Sequence, residues 1–124
     1  MKFLFTTISV KNMEESFKFY TELLMLKEVR RFSPQKGVDV VFLEDDDNNQ
    51  VELMDNIYEK PSFAPEINSV ATLCFSVDDL EKTKESLEEK GIKIKKGPRP
   101  LPNGGSFIII DDPNGIEIGL YEGF

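Results

Sequence analysis

The 124 residues contain no histidine and no tryptophan. Without an imidazole the chain has no Ser-His or Cys-His nucleophilic pair, no imidazole base and no imidazole metal ligand. Catalysis, if any, must run on carboxylates, hydroxyls, lysine, one thiol or a bound group. Cys74 is the only cysteine, so no internal disulfide forms and a reducing cytoplasm suits the chain. Basic residues are in deficit: 15 Lys and Arg against 23 Asp and Glu leave a net charge of −8. An acidic chain with no basic stripe repels a polyphosphate backbone, so nucleic acid is not an expected partner. Lys90, Lys93, Lys95 and Lys96 do gather, and read as a solvated helix end and edge strand. Long apolar runs are also missing. Phe3 to Ile8 gives way to Lys11-Asn12, too short for a signal core or a membrane span, so no membrane partner is expected.

What the chain does have is an internal copy of itself. Ser9-Val10-Lys11-Asn12-Met13-Glu14 resembles Ser76-Val77-Asp78-Asp79-Leu80-Glu81, 67 positions on, and the same shift pairs Asp45 with Asp112 and Leu53 with Leu120. Two copies are too few for a solenoid. Each is too small to bury a good core alone, so a pseudo-symmetric pair is expected. This predicts a single domain over 1–124, with module 1 at about 1–57, a linker carrying Pro61 and Pro65 at about 58–68, and module 2 at about 69–124.

Phe3 to Val10 alternates as a strand, and Asn12 with Glu15 forms a capping box for a helix with the apolar stripe Met13, Phe17, Tyr20 and Leu24. Strands follow at about Glu28–Phe32, Val38–Leu43 and Asn49–Met54, the last two joined by Asp45-Asp46-Asp47-Asn48. Module 2 repeats the plan. A strand over Val70–Val77 leads to a helix capped by Asp78 or Asp79, with Leu80 and Leu87 inward and Gly91 closing it. A strand over Ile92–Lys96 precedes a proline- and glycine-rich loop from Gly97 to Gly105. Phe107–Ile110 and Ile116–Tyr121 then form a hairpin through Asp112-Pro113-Asn114-Gly115. The order βαβββ, twice, favours an α+β fold.

Phe19-Tyr20 before Leu23-Leu24, and Asp112-Pro113-Asn114-Gly115 before Ile116 and Ile118, resemble the signature segments of the glyoxalase / bleomycin-resistance / extradiol-dioxygenase (vicinal oxygen chelate) superfamily. The resemblance spans about Phe3 to Glu122. It implies two βαβββ modules forming a curled mixed sheet around a cavity, helices on the outer face, and commonly a homodimer. It also implies metal ligands on the first and last strands of each module, which carry over to Phe5, Glu52, Thr72 and Gly119. Only Glu52 is of a ligand type. One carboxylate and one hydroxyl fall short of the three or four N/O donors that hold Zn, Ni, Fe or Mn, so neither a metal nor another cofactor is expected.

Strand alternation turns Phe5, Thr7 and Ser9, Gln50, Glu52 and Met54, Thr72, Cys74 and Ser76, and Glu117, Gly119 and Tyr121 towards that cavity. Phe5, Thr7, Gln50, Glu52, Met54, Thr72, Cys74, Glu117 and Tyr121 are therefore the candidate ligand-binding residues. Aromatic and acidic groups together suit a flat or cationic organic compound. Glu52 and Glu117 are the candidate catalytic pair if desolvation raises a carboxylate into the range of a general base; a solvated or relic role is the competing reading. Cys74, lacking a histidine, reads as a small apolar filler before a nucleophile. The acidic run at Asp45 lacks the Gly and Glu of a calcium loop and reads as a hairpin tip. The Pro98–Gly105 loop is either a connector or a flap over the cavity mouth. Three functions follow: a metal-free, cytoplasmic small-molecule binder that sequesters its compound, a divergent lactoylglutathione-lyase-like lyase or isomerase working through carboxylates, and a non-catalytic scaffold or regulatory domain.

Overall fold

The computed structural model describes residues 1–62 and 71–124. Two compact units divide the chain, Met1–Phe63 and Ala64–Phe124. The first contains β1 (Thr6–Ser9), α1 (Met13–Lys18) continued by a π-helical turn over Phe19–Leu23, β2 (Lys27–Gln35), β3 (Val38–Glu44) and β4 (Gln50–Asn56). The second contains β5 (Thr72–Ser76), α2 (Leu80–Glu89), β6 (Ile94–Pro100), β7 (Ser106–Asp111) and β8 (Glu117–Glu122). Each is a four-stranded mixed sheet, ordered β1-β4-β3-β2 and β5-β8-β7-β6. The α+β class and the doubled βαβββ plan hold. No helix among the described residues is long and apolar enough to cross a membrane.

The repeat extends to single hydrogen bonds. Parallel pairing sets Thr7 opposite Glu52 and Ser9 opposite Met54, and 67 residues on Cys74 opposite Gly119 and Ser76 opposite Tyr121. Asn12 accepts the Glu15 N–H at 2.9 Å, and Asp79, rather than Asp78, accepts that of Lys82 at 3.0 Å. The hairpin tips match as well. Asp45 Oδ1 accepts the N–H groups of Asp47 and Asn49 at 2.9 and 2.8 Å, and Asp112 Oδ1 accepts those of Asn114 and Ile116 at 2.8 and 2.7 Å. Asn48 holds a φ of 66° where the copy has Gly115 at 95°. Partial desolvation would raise the Asp45 pKa, but the Asn49 side chain and these N–H groups hold it below the usual carboxylate range. The acidic run is thus a self-satisfied turn.

One face of each sheet meets its helix. Ile8, Val10, Val41, Leu43 and Leu53 are buried on that face in the first unit, with Tyr20 of the helical segment. Ile108, Ile110, Ile118 and Leu120 are their counterparts, with Leu80 and Leu87 of α2. Of the expected stripe in the first helix only Tyr20 is fully buried, and Ser16 joins it, because the chain widens after Lys18 into a π turn closed by Leu24 N–H on the Phe19 carbonyl at 3.2 Å.

The proline- and glycine-rich loop is the main departure. Gly97 to Pro100 belong to β6, with Arg99 opposite Phe107 and Pro100 opposite Ser106. Only Leu101–Gly105 is left as a turn, closed by Leu101 N–H on the Gly105 carbonyl at 2.7 Å. An edge strand needs hydrogen bonds on one side alone, so it tolerates proline. Of the expected linker, Tyr58–Lys60 fold back: Tyr58 N–H reaches the Asn56 side chain, and Lys60 pairs with Asp55 and donates to the Lys11 carbonyl. The remainder of the linker from 63 onwards, and the expected strand start at 70, lie outside the described residues.

Candidate functional site

The helix-free face of the first sheet carries Phe5, Thr7, Gln50, Glu52 and Met54, as alternation predicts. Glu52 is 8% exposed, and its Oε1 accepts the Thr7 hydroxyl hydrogen at 2.8 Å. No other hydrogen bond or ion pair reaches Glu52 among the described residues, yet no fully enclosed side-chain oxygen is left without a partner, so Oε2 is not fully enclosed. Gln50 spends its amide on Glu44, donating to Oε2 at 2.8 Å; that bond and one from Asn48 hold the Glu44 carboxyl below its usual range. Phe5 stands edge-on to Phe42, ring centres 4.9 Å apart, and with Met54 packs on the apolar cluster of Val38, Val40 and Phe42.

Sequence reasoning missed the far side of this face. Arg30 lies directly opposite Phe42 across β2 and β3, and Phe42 lies opposite Glu52 across β3 and β4. One transverse row therefore runs Arg30, Phe42, Glu52, Thr7. The Arg30 guanidinium carbon sits 4.3 Å from the Phe42 ring centre and 5.1 Å from that of Phe32, and the two rings are near parallel with centres 6.3 Å apart. Arg30 thus holds a place over these rings for which a cationic ligand would compete. Alternation in β2 signalled Arg30 and Phe32 as partners on one face; the bulge between Glu28 and Arg30 hid which face it was.

The second sheet presents Thr72, Cys74, Glu117 and Tyr121 on its own helix-free face. Glu117 is 6% exposed and pairs with Lys95 at 3.4 Å and Lys96 at 3.6 Å, while Lys95 also holds Asp111 at 3.1 Å. A bulge between Ile94 and Lys96 brings both ammonium groups to one carboxylate. Burial would lower the Lys95 pKa, but the hydrogen bond and charge of Asp111, then Glu117, raise it above the ordinary value. Lys95 and Lys96 are thus not simply solvated, since both pair with Glu117. By the repeat, Glu117 corresponds to Gln50, and the counterpart of Glu52 is Gly119.

Cys74 on β5 is exposed, not a buried filler. Burial first, and the neighbouring Cys74 second, push the Tyr121 phenol pKa up. The Tyr121 ring stacks on Phe107, centres 5.0 Å apart, and touches the Phe124 ring edge-on. It also fills the space beside Gly119, where a Cβ would stand 2.7 Å from Tyr121 Cε2 and 3.2 Å from Cys74 Sγ. Thr72 is exposed opposite Glu117.

These donors do not fit a transition ion. The place opposite Glu52 is taken by the Thr7 hydroxyl, Phe5 is engaged with Phe42, and Gly119 has a tyrosine ring where a ligand side chain would go. Among the described residues no three Cys, Asp or Glu side chains come together to hold an ion.

Comparison with known proteins matches residues 2–120 to the Glyoxalase/Bleomycin resistance protein/Dioxygenase superfamily. A Synechocystis protein named "Probable lactoylglutathione lyase" is 26% identical over 98% of this chain and 95% of its own length. An Arabidopsis thaliana protein named "Probable lactoylglutathione lyase, chloroplastic" is 31% identical over 98% of this chain, which spans only 35% of that longer protein. Among solved structures, the trypanothione-dependent glyoxalase I of Leishmania major superposes with a TM-score of 0.81 at 24% identity, covering 98% of this chain and 86% of its own, a likeness of fold.

Proposed function

The chain belongs to the Glyoxalase/Bleomycin resistance protein/Dioxygenase superfamily, and from that premise we propose that it binds and sequesters a flat organic compound without a metal ion. The observation that carries this reading is the donor set. Glu52 is the sole carboxylate at a family ligand place, and Gly119, its copy, is backed by a stacked tyrosine. What remains on the helix-free face of the first sheet suits recognition: the partly exposed phenyl rings of Phe5 and Phe32 and the hydroxyl–carboxylate pair of Thr7 and Glu52. The working form is a cytoplasmic homodimer, in keeping with the exposed apolar side chains Val29, Ile57 and Tyr58.

Native mass spectrometry of freshly purified protein tests this. It reports subunit number, bound ion and retained compound together, and two subunits, no stoichiometric transition metal and a retained organic mass are expected. A chelator should leave the melting temperature unchanged. A Zn, Ni, Fe or Mn ion at one per subunit, lost on Glu52→Ala and needed for turnover, would overturn the reading.

The names of the two relatives favour a second reading, a divergent lactoylglutathione lyase acting through Glu52. Formation of S-lactoylglutathione that is abolished by Glu52→Gln, with no added metal, would support it over sequestration.

A further inference from the structure

We infer that Arg30 is an anion receptor on the helix-free face of the first sheet, and that the compound bound there carries a planar oxyanion, such as a carboxylate, on its flat body. The inference rests on the small-molecule reading above and deepens it by naming the ligand's charge. The guanidinium carbon lies over the Phe42 ring at 4.3 Å and beside the Phe32 ring at 5.1 Å, so the rings cover part of the group. Its five N–H donors form a planar fork that takes a carboxylate in two parallel bonds. No carboxylate of the chain lies within ion-pairing distance of Arg30 among the described residues.

Its neighbour makes the contrast. Arg31, one residue on and therefore on the opposite face, is already satisfied: Nε donates to Glu28 at 2.6 Å and the guanidinium covers the Phe17 ring at 5.0 Å. In the second sheet the corresponding place, opposite Ile109, is held by Lys96, which reaches Glu117 at 3.6 Å. Among the described residues, Arg30 alone of these three cations has no carboxylate partner, and it lies against two rings. Glu52, two strands away in the same row, has an Oε2 with no partner among the described residues, able to accept a hydroxyl or amine hydrogen of the same ligand. Its charge would repel a second anion placed beside it.

Isothermal titration of the full chain with two flat probes of similar shape and opposite charge, p-toluate and p-methylbenzylamine, tests the assignment. The wild type should bind p-toluate at least about tenfold more tightly than the amine, the scale of one charged hydrogen-bonding contact. Arg30→Gln should erase that preference, Arg30→Lys should restore only part of it because an ammonium lacks the planar fork, and Arg31→Gln should leave it intact. Tighter binding of the amine, or a p-toluate affinity unmoved by Arg30→Gln, would overturn the assignment while leaving small-molecule binding in place. Failure of both probes, together with no organic mass retained in native spectra, would overturn both.

Discussion

Asp55 ties the last strand of the first sheet to the first turn of its helix: Oδ2 accepts the Met13 backbone N–H at 3.1 Å. Sixty-seven residues on, Glu122 Oε2 accepts the Leu80 N–H at 2.5 Å. Each acid sits on the helix-facing side of its strand and meets the positive end of the helix, where orphan N–H groups gather. The bond fixes the helix on its sheet.

Asp55→Ala and Glu122→Ala should each lower stability by about 1 kcal/mol, the scale of a lost helix cap. Asp55→Asn, which keeps the acceptor and loses the charge, should forfeit less. Urea unfolding followed by circular dichroism measures this, and equal losses for Asn and Ala would mean that the charge dominates.

Gly119→Ala should destabilise the second unit by about 1–3 kcal/mol, because the added methyl meets Tyr121 Cε2 at 2.7 Å and the ring is pinned against Phe107. Gly119→Glu, which restores a ligand type at a family place, should be at least as harmful and gain no tight metal binding. In the Tyr121→Ala background the penalty of Gly119→Ala should shrink, a coupling that a thermal-melt double-mutant cycle reads directly.

The doubled plan was legible in sequence because turns and caps are local chemistry. Asp45 and Asp112 each satisfy their own tips, and Asn12 and Asp79 each cap their own helix. Alternation likewise set Thr7 and Glu52 on one face, as the register bears out. What escaped depends on register between distant strands. The bulge before Arg30 decides that it meets Phe42, and the bulge at Lys95 decides that two lysines meet Glu117. Neither leaves a mark in composition. Pro98 and Pro100 read as loop residues because proline breaks a central strand, and only the place of β6 at a sheet edge makes them compatible with pairing.

Met25 ends the first helical segment with a φ of 62°, a left-handed conformation that a side chain disfavours, and its own side chain is 73% exposed. Met25→Gly should therefore raise stability by about 1 kcal/mol, relieving the backbone without removing a packed group. The second helix already has Gly91 at 72° in this role, so Gly91→Ala should lose a similar amount. Denaturant midpoints of the two variants should move in opposite directions.

Lys95 is the cation that keeps Asp111 and Glu117 from repelling one another across β7 and β8, where they lie directly opposite. Lys95→Met should cost about 1–2 kcal/mol near neutral pH, since two facing carboxylates then share only Lys96. Lys96→Met should cost less, its side chain being the more exposed and its contact with Glu117 the longer at 3.6 Å. The pH dependence follows from the raised Lys95 pKa. A cation held more firmly when folded stabilises fully below its unfolded value of 10.5, and that contribution fades as pH climbs through the higher folded value. The stability gap between wild type and Lys95→Met should thus be flat from neutral to about pH 10 and close above it. Denaturant titrations over that range measure the gap, and one that persists undiminished into strong alkali would show that Lys95 acts through its apolar stem rather than its charge.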